Sequence, residues 1–489
     1  MRTHAHLLCA VALVLALAAC GGGETDVGTG LGEGGAGAEF APATASAFVE
    51  LDTDVDGAQW EKSASLLERF PGRGEVLHDI RQEWERQGLT WERDVKPALG
   101  DAVYAVWLDF ANDGQNVVGF AKPRDRAKFE RLLESGDEET VYREVDGWLV
   151  FAETRALLDR FQKARSGEAL ADQDRFEEAM DELPENAVAR AILNGDDAQS
   201  QLDESLSEDG LAPHLTRSYG RLQTLAAAVV ARNAGVLLKA DVATESAADA
   251  EAYSSRLPAA VPAGAIAYVS FGDLEKGIAR GLRVLMENDG DLARERDWAE
   301  AALGALEDDV IPLFGREGGV AVYRAAPDPG IALVLAVDED KARRLVGQLG
   351  ALAQLGGMAT TRRLRIEGVA VRRIRLREHS LFAAVSHGRL VVTNSRSVLR
   401  DTLDGGLTLA GDDAFTRATD AAGLPGETTG FLYLDLDRGV PFALDYAERE
   451  GKRVSAEARR NAEPLEALVL WGGRRGEGQT LTGLLETKE

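Results

Sequence analysis

Asp52, Asp54 and Asp56 stand at alternate positions and are followed by Gly57, the donor spacing and turn residue that open a calcium-binding loop. The twelfth loop position, which needs a bidentate Glu, is Ser63, and the nearest acid, Glu61, comes two residues early. The string is therefore a weak calcium candidate, and a strand entering a helix with an Asp capping its free amides accounts for it without a metal. His78, His214, His379 and His387 form no His-Glu-x-x-His pair, and neither a Gly-x-Ser-x-Gly elbow nor a Walker loop occurs. Gly30 to Gly35 matches a dinucleotide fingerprint formally, but no strand pattern precedes it and no helix pattern follows. Two cysteines, Cys9 and Cys20, build neither a disulfide scaffold nor a zinc or iron–sulfur site. The expectation is no catalytic residue, no resident metal and no cofactor.

The other chemistry-bearing residues are arginines. The chain has 489 residues with 82 Asp and Glu against 55 Lys and Arg, a formal charge of −27. Such a balance argues against nucleic acid as a partner, because long-range repulsion opposes the contact. Residues 39–256 carry 44 acids and 24 bases, and residues 257–489 carry 35 and 30. Most of the difference lies in 351–400, with 10 Arg and 2 Glu. Alternation about Glu367-Gly368 predicts a hairpin there, with Arg363 and Arg365 on one face of its first strand and Arg373, Arg375 and Arg377 on one face of its second. Guanidinium forks suit phosphate and carboxylate groups, so these five form the anion-binding candidate, for an anionic envelope polymer, a lipid headgroup or an acidic protein. A solvated strand face, or pairing with acids of the first half, is the bland alternative, each exposed pair contributing about 0–1 kcal/mol.

Stepping from side chains to segments, Arg2 precedes an apolar run from Leu7 to Ala19, the length of a signal-peptide core and too short to span a bilayer comfortably. The run ends in Leu17-Ala18-Ala19-Cys20-Gly21, which resembles the bacterial lipobox. That resemblance implies cleavage before Cys20, acylation of its thiol, and a location on the extracytoplasmic face of a cell membrane, the outer membrane where one exists. Residues 1–19 are then the signal peptide and 20–38 a lipidated cysteine with a Gly-rich tether too apolar-poor to fold.

The remainder reads as one unit written twice. Asp94-Val95-Lys96-Pro97-Ala98-Leu99-Gly100 matches Asp309-Val310-Ile311-Pro312-Leu313-Phe314-Gly315 at an offset of 215, and Gly147-Trp148-Leu149-Val150 matches Gly388-Arg389-Leu390-Val391 at 241. Ala45 to Val49 aligns with Ala265 to Val269. The repeats are 39–256 and 257–489. In each, strand-like runs come in pairs: Ala102 to Phe110 with Asn116 to Lys122, Gly319 to Arg324 with Ile331 to Val337, Leu225 to Ala231 with Val236 to Val242, and Leu468 to Trp471 with Thr480 to Leu485. Helical spacing aligns Val76, Ile80 and Trp84, and also Leu274, Ile278, Leu282 and Leu285. The fold class expected is α+β: two tandem homologous domains, each an antiparallel sheet of hairpins with helices between.

Lipobox, Gly-rich tether and two copies of a strand, helix, Asp-Val-x-Pro-x-x-Gly, hairpin order are similar to a family of bacterial envelope lipoproteins known as a domain of unknown function. That resemblance supplies location and architecture and no chemistry. The expected function is a membrane-anchored, non-catalytic binding or scaffolding module of the envelope. The alternatives are a carrier or chaperone for an apolar ligand such as lipid, and an envelope hydrolase with an unrecognised carboxylate pair.

Overall fold

The computed structural model describes residues 35–136, 140–199, 221–245, 251–272, 314–325, 328–355, 360–375, 379–476 and 478–488. The signal segment, Cys20, Arg377 and the helical pattern from Leu274 to Leu285 lie outside the described residues. Two compact units are present. Unit 1 comprises Met1–Ala248, Ser455–Pro464 and Arg475–Glu489, and unit 2 comprises Asp249–Val454 and Leu465–Arg474. These bounds differ from the repeats read in the sequence in that two C-terminal segments, 455–464 and 475–489, belong to unit 1.

Unit 1 begins with α1 (Gly35–Phe40), β1 (Ala47–Asp52), α2 (Ala58–Glu68) and α3 (Arg73–Arg86). There follow β2 (Ala102–Trp107), β3 (Val117–Ala121), α4 (Arg126–Glu134), β4 (Val141–Val145), β5 (Trp148–Ala152), α5 (Arg155–Ala164), α6 (Asp174–Met180), β6 (Ala189–Asn194), β7 (Leu222–Arg232) and β8 (Gly235–Thr244). Unit 2 holds β9 (Ala265–Gly272), β10 (Phe314–Tyr323), β11 (Gly330–Val337), α7 (Glu339–Leu355), β12 (Thr360–Ile366), β13 (Val369–Arg375), β14 (Ser380–Ser386) and β15 (Arg389–Thr393). It continues with α8 (Arg396–Asp404), α9 (Asp413–Ala422), β16 (Gly430–Asp435) and α10 (Leu436–Arg449). The chain ends with α11 (Ala456–Ala462), β17 (Leu465–Arg475) and β18 (Gly478–Thr487).

Every strand pair among the described residues is antiparallel. In unit 1 the order is β4-β5-β3-β2-β1-β6-β7-β8-β18. In unit 2 it is β12-β13-β14-β15-β11-β10-β9-β16-β17. The α+β class is therefore present, and so are the hairpins β2–β3, β7–β8, β10–β11 and β12–β13; of the fourth pair of runs read from the sequence, β17 pairs with β16 and β18 with β8. β2 and β3 pair as expected, although a helical turn at Ala111–Gly114 joins them instead of a tight two-residue loop.

Alternation along the strands gives each sheet two faces. One face of unit 1 packs Phe40, Phe48, Tyr104, Phe120, Trp148 and Phe161, with Phe40 stacked 4.9 Å from Trp148 and Tyr104 stacked 5.3 Å from Phe120. On the other, Trp60, Trp84, Trp91, Leu99 and Phe129 seal helices against Ala121 and Leu149. Ile80 and Trp84 are buried as the helical spacing requires, but Val76 is 53% exposed and Leu77 takes its place in the core. The tether also ends earlier than its composition suggests. Residues 35–40 are helical, with Ala38 and Phe40 buried, because Gly37 lets the backbone lie on Tyr104, whose ring would stand 2.2 Å from any Cβ. In unit 2 one face buries Tyr268, Phe415, Phe431 and Tyr433, and the other packs Leu335, Val385 and Leu390 against Ala342 of α7.

Candidate functional site

The arginine run forms the hairpin its alternation predicts. Glu367 and Gly368, at φ 48° and 75°, make a two-residue turn of the kind that matches strand twist, and Ile366 opposes Val369 across it. β13 pairs in turn with β14, so the hairpin extends the sheet of unit 2 and β12 is its edge. In unit 1 the edge is β4, which pairs with β5 through an Asp146-Gly147 turn as β14 pairs with β15 through His387-Gly388. The step from offset 215 to 241 thus falls where unit 2 has a longer helix, α7, and the two extra strands.

Register decides which candidates meet. Arg362 opposes Arg373, and Thr360 opposes Arg375, so Arg362, Arg373 and Arg375 share one face. Arg363 opposes Arg372, and Arg365 opposes Ala370, which puts Arg363, Arg365 and Arg372 on the other. The five candidates are therefore divided: Arg363 and Arg365 point away from Arg373 and Arg375. Arg362 and Arg372, left out of the candidate set, complete the two groups. The closure from Ile366 to Val369 is the sequence signal that fixes the pairing of Arg362 with Arg373.

On the first face the rung Arg362-Arg373 continues through Phe382, Thr393, Ala332 and Ala321 to the buried Tyr268. The Arg373 guanidinium donates to Ser380 Oγ at 3.1 and 3.3 Å and lies 6.0 Å from the centre of the Phe382 ring. On the second face Arg372 Nη1 donates to the Gly347 carbonyl of α7 at 3.4 Å, and Arg365 Nη1 to Gly368 at 3.2 Å. Arg362, Arg363, Arg365 and Arg375 are exposed. Among the described residues, no carboxylate stands within ion-pair distance of any of these six arginines. Like charges directly opposite one another on adjacent strands are destabilising unless an anion or solvent screens them. Pairing with acids has no support at these positions among the described residues, whereas a solvated strand face agrees with the exposure of Arg362, Arg363, Arg365 and Arg375.

The aspartate string meets cations of its own chain. Asp52 Oδ1 accepts from the Asp54 amide at 2.9 Å, Asp54 Oδ1 from Arg124 Nη2 at 2.7 Å, and Asp56 Oδ1 from Lys96 Nζ at 2.9 Å. Arg124 and Lys96 thus sit where a calcium loop would need its ion, and among the described residues no group of three or more His, Cys, Asp or Glu side chains could hold a metal. Asp52 is buried, and burial pushes its carboxyl up to about 7 against the opposing hydrogen bond from Asp54.

Two further polar features escaped the sequence reading. Glu50 and Arg190, directly opposed on β1 and β6, are each 2% exposed; Arg190 Nε and Nη2 donate to Glu50 Oε2 at 3.0 and 2.7 Å. Burial raises the Glu50 pKa, opposed by the Arg190 charge and by hydrogen bonds from Arg190 and Tyr104. A charge in each of two otherwise apolar strands was the available signal. Unit 1 also has a cleft of about 750 Å³ lined by Arg175, Glu178, Asp196, Asp241 and Arg475 among others. Arg475 reaches Glu182 at 2.5 Å and Asp241 at 3.6 Å, and burial raises the Asp241 pKa.

No described helix is long and apolar enough to cross a membrane. No curated protein matches the chain. Among solved structures, crystal form IV of TP0453 is similar at 13% identity and a TM-score of 0.25 over 46% of this chain and 77% of that one. Crystal form III of TP0453 gives 12% and 0.24 over 46% and 93%. The family model described as a protein of unknown function, DUF3352, matches residues 106–470, three quarters of the sequence, and the chain belongs to that family.

Proposed function

We propose that this chain is a lipid-anchored extracytoplasmic protein of the cell envelope, held through Cys20, whose two homologous repeats form a non-catalytic binding module for anionic polymer, headgroup or protein. The observation that carries the reading is the arginine hairpin: two directly opposed Arg pairs with no carboxylate partner among the described residues, in a chain with a 27-charge excess of acids available to neutralise them. The matching strand order β5-β3-β2-β1-β6-β7 and β15-β11-β10-β9-β16-β17 supports the duplication, and the hairpin is what the second copy adds.

The test uses the detergent-solubilised full chain on immobilised phosphate-bearing envelope polymer. Arg363→Glu with Arg373→Glu, one from each face, is expected to abolish salt-sensitive retention; unchanged retention removes the reading. Replacement of Cys20 by Ala is expected to prevent lipid labelling of the chain and release it from washed membranes.

A hydrolase is the second reading, favoured by the cleft at Asp241 and its raised pKa. The charged lining of that cleft suits it better than an apolar carrier. Hydrolysis of a polymer substrate lost in Asp241→Asn, with polymer binding retained, would favour it.

A further inference from the structure

Resting on the anion-binding reading above, we infer that the two faces of the hairpin are not equivalent and that the face of Arg362, Arg373 and Arg375 is a phosphate-binding site. Two successive rungs build it. The first runs Arg362-Arg373-Phe382 and the second Thr360-Arg375-Ser380, across β12, β13 and β14. Three guanidiniums are thus interleaved with two hydroxyls and flanked by one ring. Directly opposed residues have Cβ atoms about 5 Å apart, and same-face neighbours along a strand about 7 Å, so three long side chains can converge on one tetrahedral anion.

Arg373 is the fixed point. Ser380 Oγ holds its Nε and Nη2, and the Phe382 ring, itself 8% exposed, lies alongside. A guanidinium oriented before binding loses less rotamer freedom on forming its hydrogen bonds. Arg362 and Arg375 are exposed and close on the anion from either side. The opposite face is built differently. Arg372 and Arg365 already donate to the carbonyls of Gly347 and Gly368, and their same-face neighbours are Thr361, Ala370, Ile374, Leu381 and Ala383, one hydroxyl against the two of the first face. Fewer free donors and a less polar rim make that face the weaker phosphate ligand.

The chemistry shared by a free phosphate and a phosphodiester headgroup or polymer is the tetrahedral anionic oxygen set, and two probes separate these sources. Calorimetry of the full chain in neutral detergent at low salt would use inorganic phosphate and, separately, glycerophosphoglycerol, the soluble diester of a lipid headgroup. Binding of either probe is expected, weakening with salt; phosphate alone identifies a free-anion site and the diester alone a headgroup or polymer site. Arg362→Gln with Arg375→Gln, both exposed positions, should weaken the bound probe at least tenfold, and Ser380→Ala a few-fold through loss of Arg373 orientation. Arg363→Gln with Arg365→Gln should change it less than threefold. A tenfold loss in the second pair with none in the first overturns this inference and leaves the anion-binding reading standing. Loss of retention on polymer by neither pair, together with no heat from either probe, overturns both.

Discussion

The two units place the same strands in the same order and solve their central rung with opposite chemistry. In unit 1, Glu50 of β1 lies between Tyr104 of β2 and Arg190 of β6. In unit 2, the same three places are Ser270 of β9, Gly319 of β10 and Phe431 of β16. A buried ion pair and a tyrosine face a hydroxyl, a missing side chain and a phenyl ring. The ring of Tyr268 fills the room above Gly319, where a Cβ would stand 2.6 Å from its hydroxyl. The next rung differs in the same sense. Asp52 opposes Ala102 in unit 1, whereas Gly272 opposes Glu317 in unit 2 and the Tyr253 ring occupies the space beside Gly272. Glu317 is satisfied by backbone instead of a guanidinium: Ser255 Oγ donates to it at 2.6 Å, and the amides of Arg256 and Leu257 at 2.9 and 3.0 Å. One backbone plan therefore tolerates a charged or an aromatic centre.

The largest way to break this comparison is to orphan the charge in unit 1. Arg190→Ala leaves Glu50 buried without its cation and should cost about 3–5 kcal/mol in denaturant unfolding. Replacing both partners, Glu50→Leu with Arg190→Met, should recover most of that loss, since unit 2 does without the pair at this place; a double variant no better than the single would show that the ion pair is indispensable to unit 1.

In unit 2 the corresponding lesion is milder. Glu317→Ala frees two amides and a hydroxyl near the protein surface, where water can replace the carboxylate in part, and should cost about 1–3 kcal/mol. A cost above that of Arg190→Ala would invert the ranking of the two units.

A further effect is carried by pH. With a pKa near 7 when folded and an ordinary carboxylate value when unfolded, Asp52 keeps its proton in the folded chain across a window in which the unfolded chain has lost it. The folded state then binds more protons, so stability falls as pH rises from about 4 towards 7 and levels off above. Between the ordinary value of 3.8 and about 7 the fall is at most about 4 kcal/mol. Asp52→Asn keeps an oxygen for the Asp54 amide and removes the charge, so it should flatten this part of the pH dependence and raise the melting temperature at pH 8. An equal slope in the variant would assign the pH dependence to other groups.

Much of the scaffold was legible because its signals are local or repeated. Glu367-Gly368 between alternating runs marked a turn, and the paired apolar runs at 102–122, 225–242 and 319–337 marked neighbouring strands. The tether boundary was less legible: glycines at 35 and 37 read as disorder, yet Gly37 is where a helix lies on the Tyr104 ring. Val76 fits a helical stripe by spacing but faces water, since spacing gives a helix its faces without saying how wide the covering surface is.

By itself the sequence determined the hairpins β2–β3, β7–β8, β10–β11 and β12–β13, the α+β class and the concentration of arginine in one hairpin, because period-2 alternation, turn residues and charge counts are properties of neighbouring positions. Tertiary structure alone decided that Arg124 and Lys96 stand among the aspartates at 52–56 and that Glu50 meets Arg190 across 140 residues of chain. Those outcomes depend on register between strands and on side chains brought together from distant segments, and a one-residue change of register would reverse every face.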